Sequence, residues 1–138
     1  MIAKVQIIDL PRIPDPRGNL TFLQNKTNIP FDIKRVFWTY GVPGGAIRGG
    51  HAYNVQQEVI IALSGSFDVI IKKIDGNVQK VSLNRSYTGL YIPALTWRHL
   101  ENFSTNAVSL HVSDQLFSRQ DYVWSYNEFK ELQANHEK

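Results

Sequence analysis

The sequence predicts an all-β protein, a jelly-roll β-barrel with a short C-terminal α-helix. Apolar and polar residues alternate with a period of two, the spacing of half-buried strands, along most of the chain. Turn signals separate the predicted strands at short intervals, which is typical of barrels and jelly rolls rather than of βαβ units. Only near the C-terminus does the spacing of apolar residues become helical.

Prolines and glycines set the ends of the first predicted strands. Residues 5–10 alternate and stop at Pro11, and residues 19–24 follow an Asp-Pro-Arg-Gly turn at 15–18. Residues 33–40 are rich in β-branched and aromatic side chains and end at a glycine- and proline-containing segment, 41–45. The sequence therefore predicts three strands before the middle of the chain.

Hairpin signals follow in the second half. Residues 58–64 and 66–73 flank Gly65, and the Asp-Gly-Asn turn at 75–77 leads into residues 78–83. Three more strands are predicted, at residues 89–92, 97–102 and 107–112.

The tail changes from strand to helix spacing. Ser118 stands three residues before Asp121, a variant of the capping box with Asp in place of Glu. Tyr122, Tyr126 and Phe129 then recur at helical spacing as far as Leu132, which predicts a helix packed on the barrel.

Composition bounds the class of protein. A chain of 138 residues suits one domain, so residues 1–138 are expected to form a single unit. The absence of cysteine excludes thiolate zinc sites, disulfides and cysteine nucleophiles. The net charge of +3 comes from dispersed basic residues, which predicts no nucleic-acid partner. With no signal peptide and no apolar segment of about 20 residues, we predict no membrane partner and a cytoplasmic location.

The most informative segment runs from Gly45 to Gly65. Five residues separate Gly45 from His51, and Tyr53, Glu58 and the second glycine follow. This spacing resembles the first motif of the cupin superfamily, which has a second histidine at the position of Tyr53. A second cupin motif is recognisable downstream, with an arginine in place of its histidine: Gly89, Pro93, Arg98 and Asn102. The resemblance implies a cupin barrel.

The two replacements bear on metal chemistry. Metal-dependent cupins bind their ion through three histidines and a glutamate, and two of those positions are here Tyr53 and Arg98. A guanidinium stays charged and has no lone pair to donate, so Arg98 opposes a dication. His51 and Glu58 alone are too few for a tight metal site, and we predict none.

His51 is the candidate acid/base, because an unperturbed imidazole pKa of about 6.5 suits proton transfer in both directions near neutrality. Four further polar side chains are expected around it along the barrel interior and mouth: Tyr53, Glu58, Arg98 and Arg48. The other histidines lie outside the motifs: His99, His111 and His136.

A closer resemblance runs nearly end to end, through residues 15–20, 33–36, 48–52 and 89–91, Trp97, and the segment from Asp121 to Phe129. These residues look like the dTDP-4-keto-6-deoxy-D-glucose 3,4-ketoisomerases and, more distantly, the related 3,5-epimerases. The resemblance implies a cofactor-free homodimer with exchanged N-terminal strands. It also implies action on a dTDP-linked 4-keto-6-deoxy sugar, in the synthesis of surface polysaccharides such as O-antigen.

The resemblance implies a role for each candidate residue. His51 matches the proton shuttle between C3 and C4, and Arg98 and the Tyr53 hydroxyl are candidates for stabilising the enolate oxygen. The remaining candidates are assigned to substrate binding: Arg35 and Arg48 to the diphosphate, Arg17 to the sugar edge or a phosphate, Glu58 to the substrate in the cavity, and Tyr91 or Trp38 to the thymine.

This chain departs from the family pattern at two points, and these departures leave alternatives open. Many family members carry a second histidine where this chain has Tyr53, a poor base at neutrality. Arginine at both 17 and 98 mixes the patterns of the two product classes, so the C4 configuration stays open between galacto and gluco. The alternatives to a ketoisomerase are a 3,5-epimerase, a non-catalytic sugar-nucleotide binding protein and, last, a metal-dependent enzyme.

Overall fold

The computed structural model describes residues 4–136. Twelve strands precede one helix. The strands are β1 (Gln6–Asp9), β2 (Arg12–Ile13), β3 (Leu20–Thr21), β4 (Arg35–Thr39), β5 (Arg48–Tyr53), β6 (Glu58–Ser64), β7 (Phe67–Lys72), β8 (Val78–Leu83), β9 (Thr88–Ile92), β10 (Trp97–Glu101), β11 (Val108–Ser113) and β12 (Tyr122–Val123), and the helix is α1 (Tyr126–His136).

Ten of these strands form two five-stranded antiparallel sheets that face each other. The first has the order β1-β9-β6-β11-β4 and the second the order β12-β5-β10-β7-β8. Alternate residues of both sheets point inward and make the main core, which includes Ile60, Val69, Leu83, Leu90 and Leu100. This double-sheet arrangement confirms the predicted all-β fold class with its C-terminal helix.

The first sheet is covered on its outer face as well. Leu10, Ile29 and Phe31 from the N-terminal segment pack against Val59 of β6 and Val112 of β11. Strand β6 is therefore buried on both faces, which explains why its sequence is a continuous apolar run after Glu58 rather than an alternation.

The structure differs from the prediction in three strands and in the start of the C-terminal helix. Each of the nine predicted segments contains a strand, but β2, β5 and β12 were not among them. A single 3₁₀ turn (Arg119–Asp121) follows Ser118, but the predicted start of the α-helix there is wrong: the Ser118 side chain makes no capping hydrogen bond, and Tyr122 lies in β12. The helix begins at Tyr126, where the Ser125 hydroxyl accepts a hydrogen bond from the Glu128 N–H.

Helix α1 packs on the outer face of the second sheet. Phe129, only 1% exposed, contacts Ala52 of β5 and Val123 of β12, and Trp97 and Tyr126 flank it. Among residues 4–136, no helix is long and apolar enough to cross a membrane. The helix thus fixes β12, and with it Tyr122, against the strand that carries His51.

Candidate active site

Two neighbouring strands of the second sheet bring the motif residues together. Arg98 of β10 is the direct cross-strand partner of His51 of β5, and Tyr53 follows two residues later on the same inward face. Gly49 precedes them with a φ of +98°, a region that favours glycine. The cupin spacing therefore places one imidazole, one phenol and one guanidinium on a single patch of barrel wall.

Glu58 faces this patch from β6 of the opposite sheet and forms a buried ion pair. Its Oε1 lies 2.8 Å from Arg98 Nη2, and both side chains are 2% exposed. Arg98 Nη1 also donates to the Thr96 carbonyl at 3.0 Å. Burial alone would raise the pKa of Glu58, but Arg98 and His111 outweigh it and hold that pKa well below its usual range. Glu58 is a carboxylate at neutral pH.

Of the two ring nitrogens of His51, one is hydrogen-bonded to the backbone and the other is available as a base. Its Nδ1 lies 3.0 Å from the Gly49 carbonyl, and because a carbonyl only accepts, Nδ1 carries the proton. Its Nε2 then holds the lone pair of a base. Burial lowers the pKa of His51 to about 4, and the charge of Arg98 adds to this effect while Glu58 opposes it. The imidazole is therefore neutral at pH 7.

Tyr53 supplies a hydroxyl that keeps its proton. Its side chain is buried, and the Arg98 guanidinium carbon lies 4.6 Å from the centre of its ring. Burial raises the pKa of Tyr53 far above its ordinary value, and the Glu58 charge adds to the rise. A phenol in this state donates hydrogen bonds but does not take up protons.

These groups line one cavity of about 360 Å³, which lies between the two sheets. Its lining is Phe37, Thr39, Ile47, Arg48, Gly49, His51, Tyr53, Glu58, Arg98, Leu100, His111, Tyr122 and Trp124. A volume of this size accommodates a sugar-sized ligand. The structure therefore brings together His51, Tyr53, Glu58, Arg98 and Arg48, as the sequence predicts.

The other candidate residues lie outside this cavity lining. The Arg35 guanidinium packs over Phe37, which does line the cavity, at 4.6 Å from the ring centre, and also over Phe117. Arg17 is exposed on the turn between β2 and β3 and pairs with Asp15 at 2.9 Å. The structure does not bring Arg17 into the cavity, because β2 and β3 lie beside the outer face of the first sheet.

Tyr91 also lies on that outer face, which corrects the expectation that it faces the substrate. Its neighbours Leu90 and Ile92 point into the main core, so Tyr91 points away from it. Its hydroxyl donates to the Gln57 side-chain oxygen at 2.5 Å. Burial raises the pKa of Tyr91, and Asp114 adds to the rise.

Three further side chains line this cavity and were not among the predicted site residues: His111, Tyr122 and Trp124. Tyr122 and Trp124 stack in parallel with ring centres 4.7 Å apart, and both rings lie beside His51. The signal for His111 is the inward alternation of polar Ser109, His111 and Ser113 in a strand that is otherwise apolar. No local signal identifies Tyr122, because the helical spacing in the sequence conceals β12.

The residues do not fit a metal ion. Among the described residues that line the cavity, the one carboxylate is Glu58, which is already paired with Arg98, and His51 Nδ1 is hydrogen-bonded to a backbone carbonyl. Within residues 4–136, no three His, Asp or Glu side chains cluster as a metal-binding group. A guanidinium beside the carboxylate also repels a dication.

Comparison with known proteins identifies the family. The family model described as "FdtA: WxcM-like, C-terminal" matches residues 3–134. The chain belongs to the FdtA family. A curated relative of this FdtA-family chain is the TDP-4-oxo-6-deoxy-alpha-D-glucose-3,4-oxoisomerase of Aneurinibacillus thermoaerophilus, 33% identical over 130 residues, which are 94% of this chain and 92% of the relative.

Solved structures are similar over nearly the whole length. QdtA, a sugar 3,4-ketoisomerase from Thermoanaerobacterium thermosaccharolyticum solved with TDP, is 32% identical with a TM-score of 0.93, covering 99% of this chain and 98% of QdtA. The WlaRB TDP-quinovose 3,4-ketoisomerase of Campylobacter jejuni is 36% identical with a TM-score of 0.88, covering 94% and 99%. The family expected from the sequence is thereby confirmed for this FdtA-family chain.

Proposed function

We propose that this protein is a sugar 3,4-ketoisomerase, which moves the ketone of a dTDP-linked 4-keto-6-deoxyhexose from C4 to C3. The observation that carries the proposal is His51, a neutral imidazole with a free Nε2 on the wall of a sugar-sized cavity. Relatives of the same family that are 3,4-ketoisomerases support it.

The reaction needs one base that reaches two adjacent carbons. Nε2 of His51 takes the proton from C3, the C3–C4 double bond forms, and the carbonyl electrons move to O4 to give an enediolate. Transfer of the hydroxyl proton from O3 to O4, together with return of a proton from Nε2 to C4, then leaves the ketone at C3 and a hydroxyl at C4. Because the pKa of His51 is lowered to about 4, the base is in its neutral form at pH 7 before substrate binds.

Arg98 and Tyr53 are proposed to stabilise the enediolate. The guanidinium is fixed by Glu58 and by the Thr96 carbonyl, so it does not reorganise when charge develops on O4. The Tyr53 hydroxyl keeps its proton and can donate to the same oxygen. Burial of both groups strengthens these interactions because little water screens them.

Substrate binding is assigned to the remaining charged residues. Arg48 lies at the cavity, and Arg35, whose buried Nε has no hydrogen-bond partner, lies beside Phe37 of its wall; both are proposed to bind the diphosphate. Glu58 is proposed to accept from a substrate hydroxyl through Oε2, which receives only a long 3.4 Å contact from Gln56. Arg17 stays a proposed sugar or phosphate contact.

A homodimer with exchanged N-terminal strands is part of the proposal. The outer face of β4 exposes Val36, Trp38 and Tyr40, an apolar strip that suits a second copy of this chain. In the single chain β1 pairs with β9, and an exchange would form the same pairing between copies. Arg17, outside its own cavity, would then lie closer to the partner. Light scattering that gives a monomer mass would contradict this part.

Cytoplasmic location and a role in surface-polysaccharide synthesis, O-antigen included, complete the proposal. The role in surface-polysaccharide synthesis rests on the family resemblance. Detection of the protein only in the membrane or secreted fraction of its host would contradict the location.

The test of the function is to incubate the protein with dTDP-4-keto-6-deoxyglucose and identify the product by NMR. A 3-keto product is expected, and the coupling of its C4 proton distinguishes the galacto from the gluco configuration. Inversion at C5, or deuterium at C5 when the incubation is repeated in ²H₂O, would favour the 3,5-epimerase. Tight dTDP binding with no reaction would favour a non-catalytic binding protein. Activity that depends on an added metal would favour the metal-dependent alternative.

A further inference from the structure

His111 lies on the cavity wall that faces His51. It is on the inward face of β11 in the first sheet, whereas His51 is on β5 in the second sheet. Its side chain is 8% exposed, and its ring stacks on Phe37 with the ring centres 4.5 Å apart and the planes 9° apart. The imidazole is thus held in one orientation at the edge of the cavity.

The two ring nitrogens of His111 differ in their partners. Nε2 lies 3.0 Å from the Ser109 hydroxyl, which can donate to it or accept from it. Nδ1 is buried, and it has no hydrogen-bond partner among residues 4–136. A buried polar atom without a partner is costly, so a ligand group in the cavity is its natural partner.

A carboxylate stands next to that free nitrogen. Glu58 Oε1 is 3.5 Å from His111 Nδ1, in an orientation that makes no hydrogen bond. Arg98 keeps Glu58 ionised, so a negative charge lies 3.5 Å from the free nitrogen of His111. His111 therefore has the surroundings of a group that accepts a proton and releases it again.

The isomerisation moves two protons, and His51 accounts for one of them. The carbon-bound proton goes from C3 to C4, and a hydroxyl proton must also go from O3 to O4. Tyr53 does not suit the second transfer, because burial raises its pKa and keeps the phenol protonated. The second proton needs another carrier within the cavity.

We propose that Nδ1 of His111 carries the hydroxyl proton from O3 to O4, an inference that rests on the proposed function. After His51 has formed the enediolate, Nδ1 takes the proton from O3 and then gives it to O4. The electron pair left on O3 forms the C3 carbonyl, and the electrons of the C3–C4 double bond take the proton from His51 at C4. No oxidant, reductant or co-reactant is required.

The test separates the two protons in a His111→Asn variant. With dTDP-4-keto-6-deoxyglucose in ²H₂O, NMR follows exchange of the substrate C3 proton and formation of the 3-keto product. Product formation is expected to fall by about 100-fold or more, the usual contribution of a proton-transfer group. Exchange at C3 is expected to persist, because His51 still forms the enediolate.

Controls distinguish this result from a structural effect. His99→Asn makes the same change at a partly exposed histidine on the outer face of β10, and it is expected to leave both rates at the wild-type level. Exchange and product formation that fall together in His111→Asn, or product formation equal to wild type, would overturn the proposal. A wild-type protein with neither exchange nor product would instead overturn the proposed function on which it rests.

A measurement without substitution of His111 covers the case in which the variant fails to fold. In His51→Asn, which leaves the substrate unconverted, the ¹⁵N resonance of His111 Nδ1 is expected to shift when dTDP-4-keto-6-deoxyglucose is added. The His99 resonances are expected not to shift. An unchanged His111 resonance at saturating substrate would overturn the proposal.

Discussion

At the scale of single residues, the surroundings of His51 determine what its imidazole can do. The Gly49 carbonyl fixes the proton on Nδ1, and burial makes the charged form unfavourable. An ordinary surface histidine would be partly protonated just below neutrality, whereas this one is a neutral base over the whole physiological range.

The first prediction concerns the pH dependence of kcat/KM. A base with a pKa of about 4 is neutral at every pH above that value, so kcat/KM is expected to stay level as the pH falls from 7 and to decline only near pH 4. Initial rates in a series of buffers of constant ionic strength measure this profile. A decline centred near pH 6.5 would show that His51 titrates like an unperturbed histidine.

The second prediction concerns the buried pair of Glu58 and Arg98. Glu58→Gln leaves the Arg98 charge buried without its carboxylate, and the free energy of unfolding is expected to fall by about 3–5 kcal/mol. The matched control is Glu101→Gln, which removes the partner of a partly exposed histidine, His99, and is expected to cost less than about 1 kcal/mol. Urea unfolding measures both, and equal losses would contradict the prediction.

Motif spacing predicted four of the residues that meet in the cavity, but it did not predict His111. His51, Tyr53, Glu58 and Arg98 lie at fixed distances along the cupin motifs, so their sequence positions alone indicate that they converge. The polar alternation of β11 indicates that His111 faces inward, but its position beside Phe37 and Ile60 depends on cross-strand pairing, which that alternation does not specify.

At the scale of elements, the turn between β6 and β7 depends on Gly65. Its φ is +66°, and a Cβ at this position would lie 2.5 Å from the Ser104 hydroxyl oxygen and 2.9 Å from the Ala107 Cα. The sequence predicted this hairpin from the glycine alone. The structure adds that the turn packs against the loop that precedes β11, which leaves no space for a side chain.

The third prediction compares two glycines that both have a positive φ. Gly65→Ala strains the backbone and also brings the new Cβ too close to Ser104 and Ala107. The free energy of unfolding is therefore expected to fall by about 2–4 kcal/mol. Gly76→Ala has a φ of +87° with no atom near its Cβ, so only about 1 kcal/mol of strain is expected. Equal losses in urea unfolding would contradict the role given to the packing around Gly65.

The C-terminal elements illustrate where local patterns fail. Tyr122 and Phe129 share a helical spacing in the sequence, yet Tyr122 pairs with Tyr53 in a strand. The Asp121 carboxylate accepts hydrogen bonds from the Val55 and Gln56 N–H groups instead of capping a helix, and this fixes β12 beside β5. Contacts between residues so distant in the sequence are not readable from propensities.

At the scale of the whole molecule, the burial of His51 in the cavity lowers the stability of the folded protein in acid. Unfolded His51 takes up a proton near pH 6.5, but the folded protein binds it only near pH 4. The unfolded state therefore holds more protons in this window, and stability falls as the pH is lowered through it.

The fourth prediction is that the free energy of unfolding decreases as the pH is lowered from about 6.5 to 4, and that His51→Asn reduces the slope. Urea midpoints of both proteins across this range measure the effect. The Glu58 carboxylate contributes its own loss of stability only below about pH 4.5, where the unfolded carboxyl takes up a proton and the folded one does not. Identical slopes in the two proteins would contradict the prediction.

The central claim is that His51 moves the carbon-bound proton in this cavity. The most direct measurement is ¹H NMR of dTDP-4-keto-6-deoxyglucose in ²H₂O with the wild-type protein and with His51→Asn. The wild type is expected to exchange the C3 proton and to form the 3-keto product with deuterium at C4, whereas the variant is expected to bind dTDP and do neither. Undiminished exchange at C3 in His51→Asn would contradict the claim.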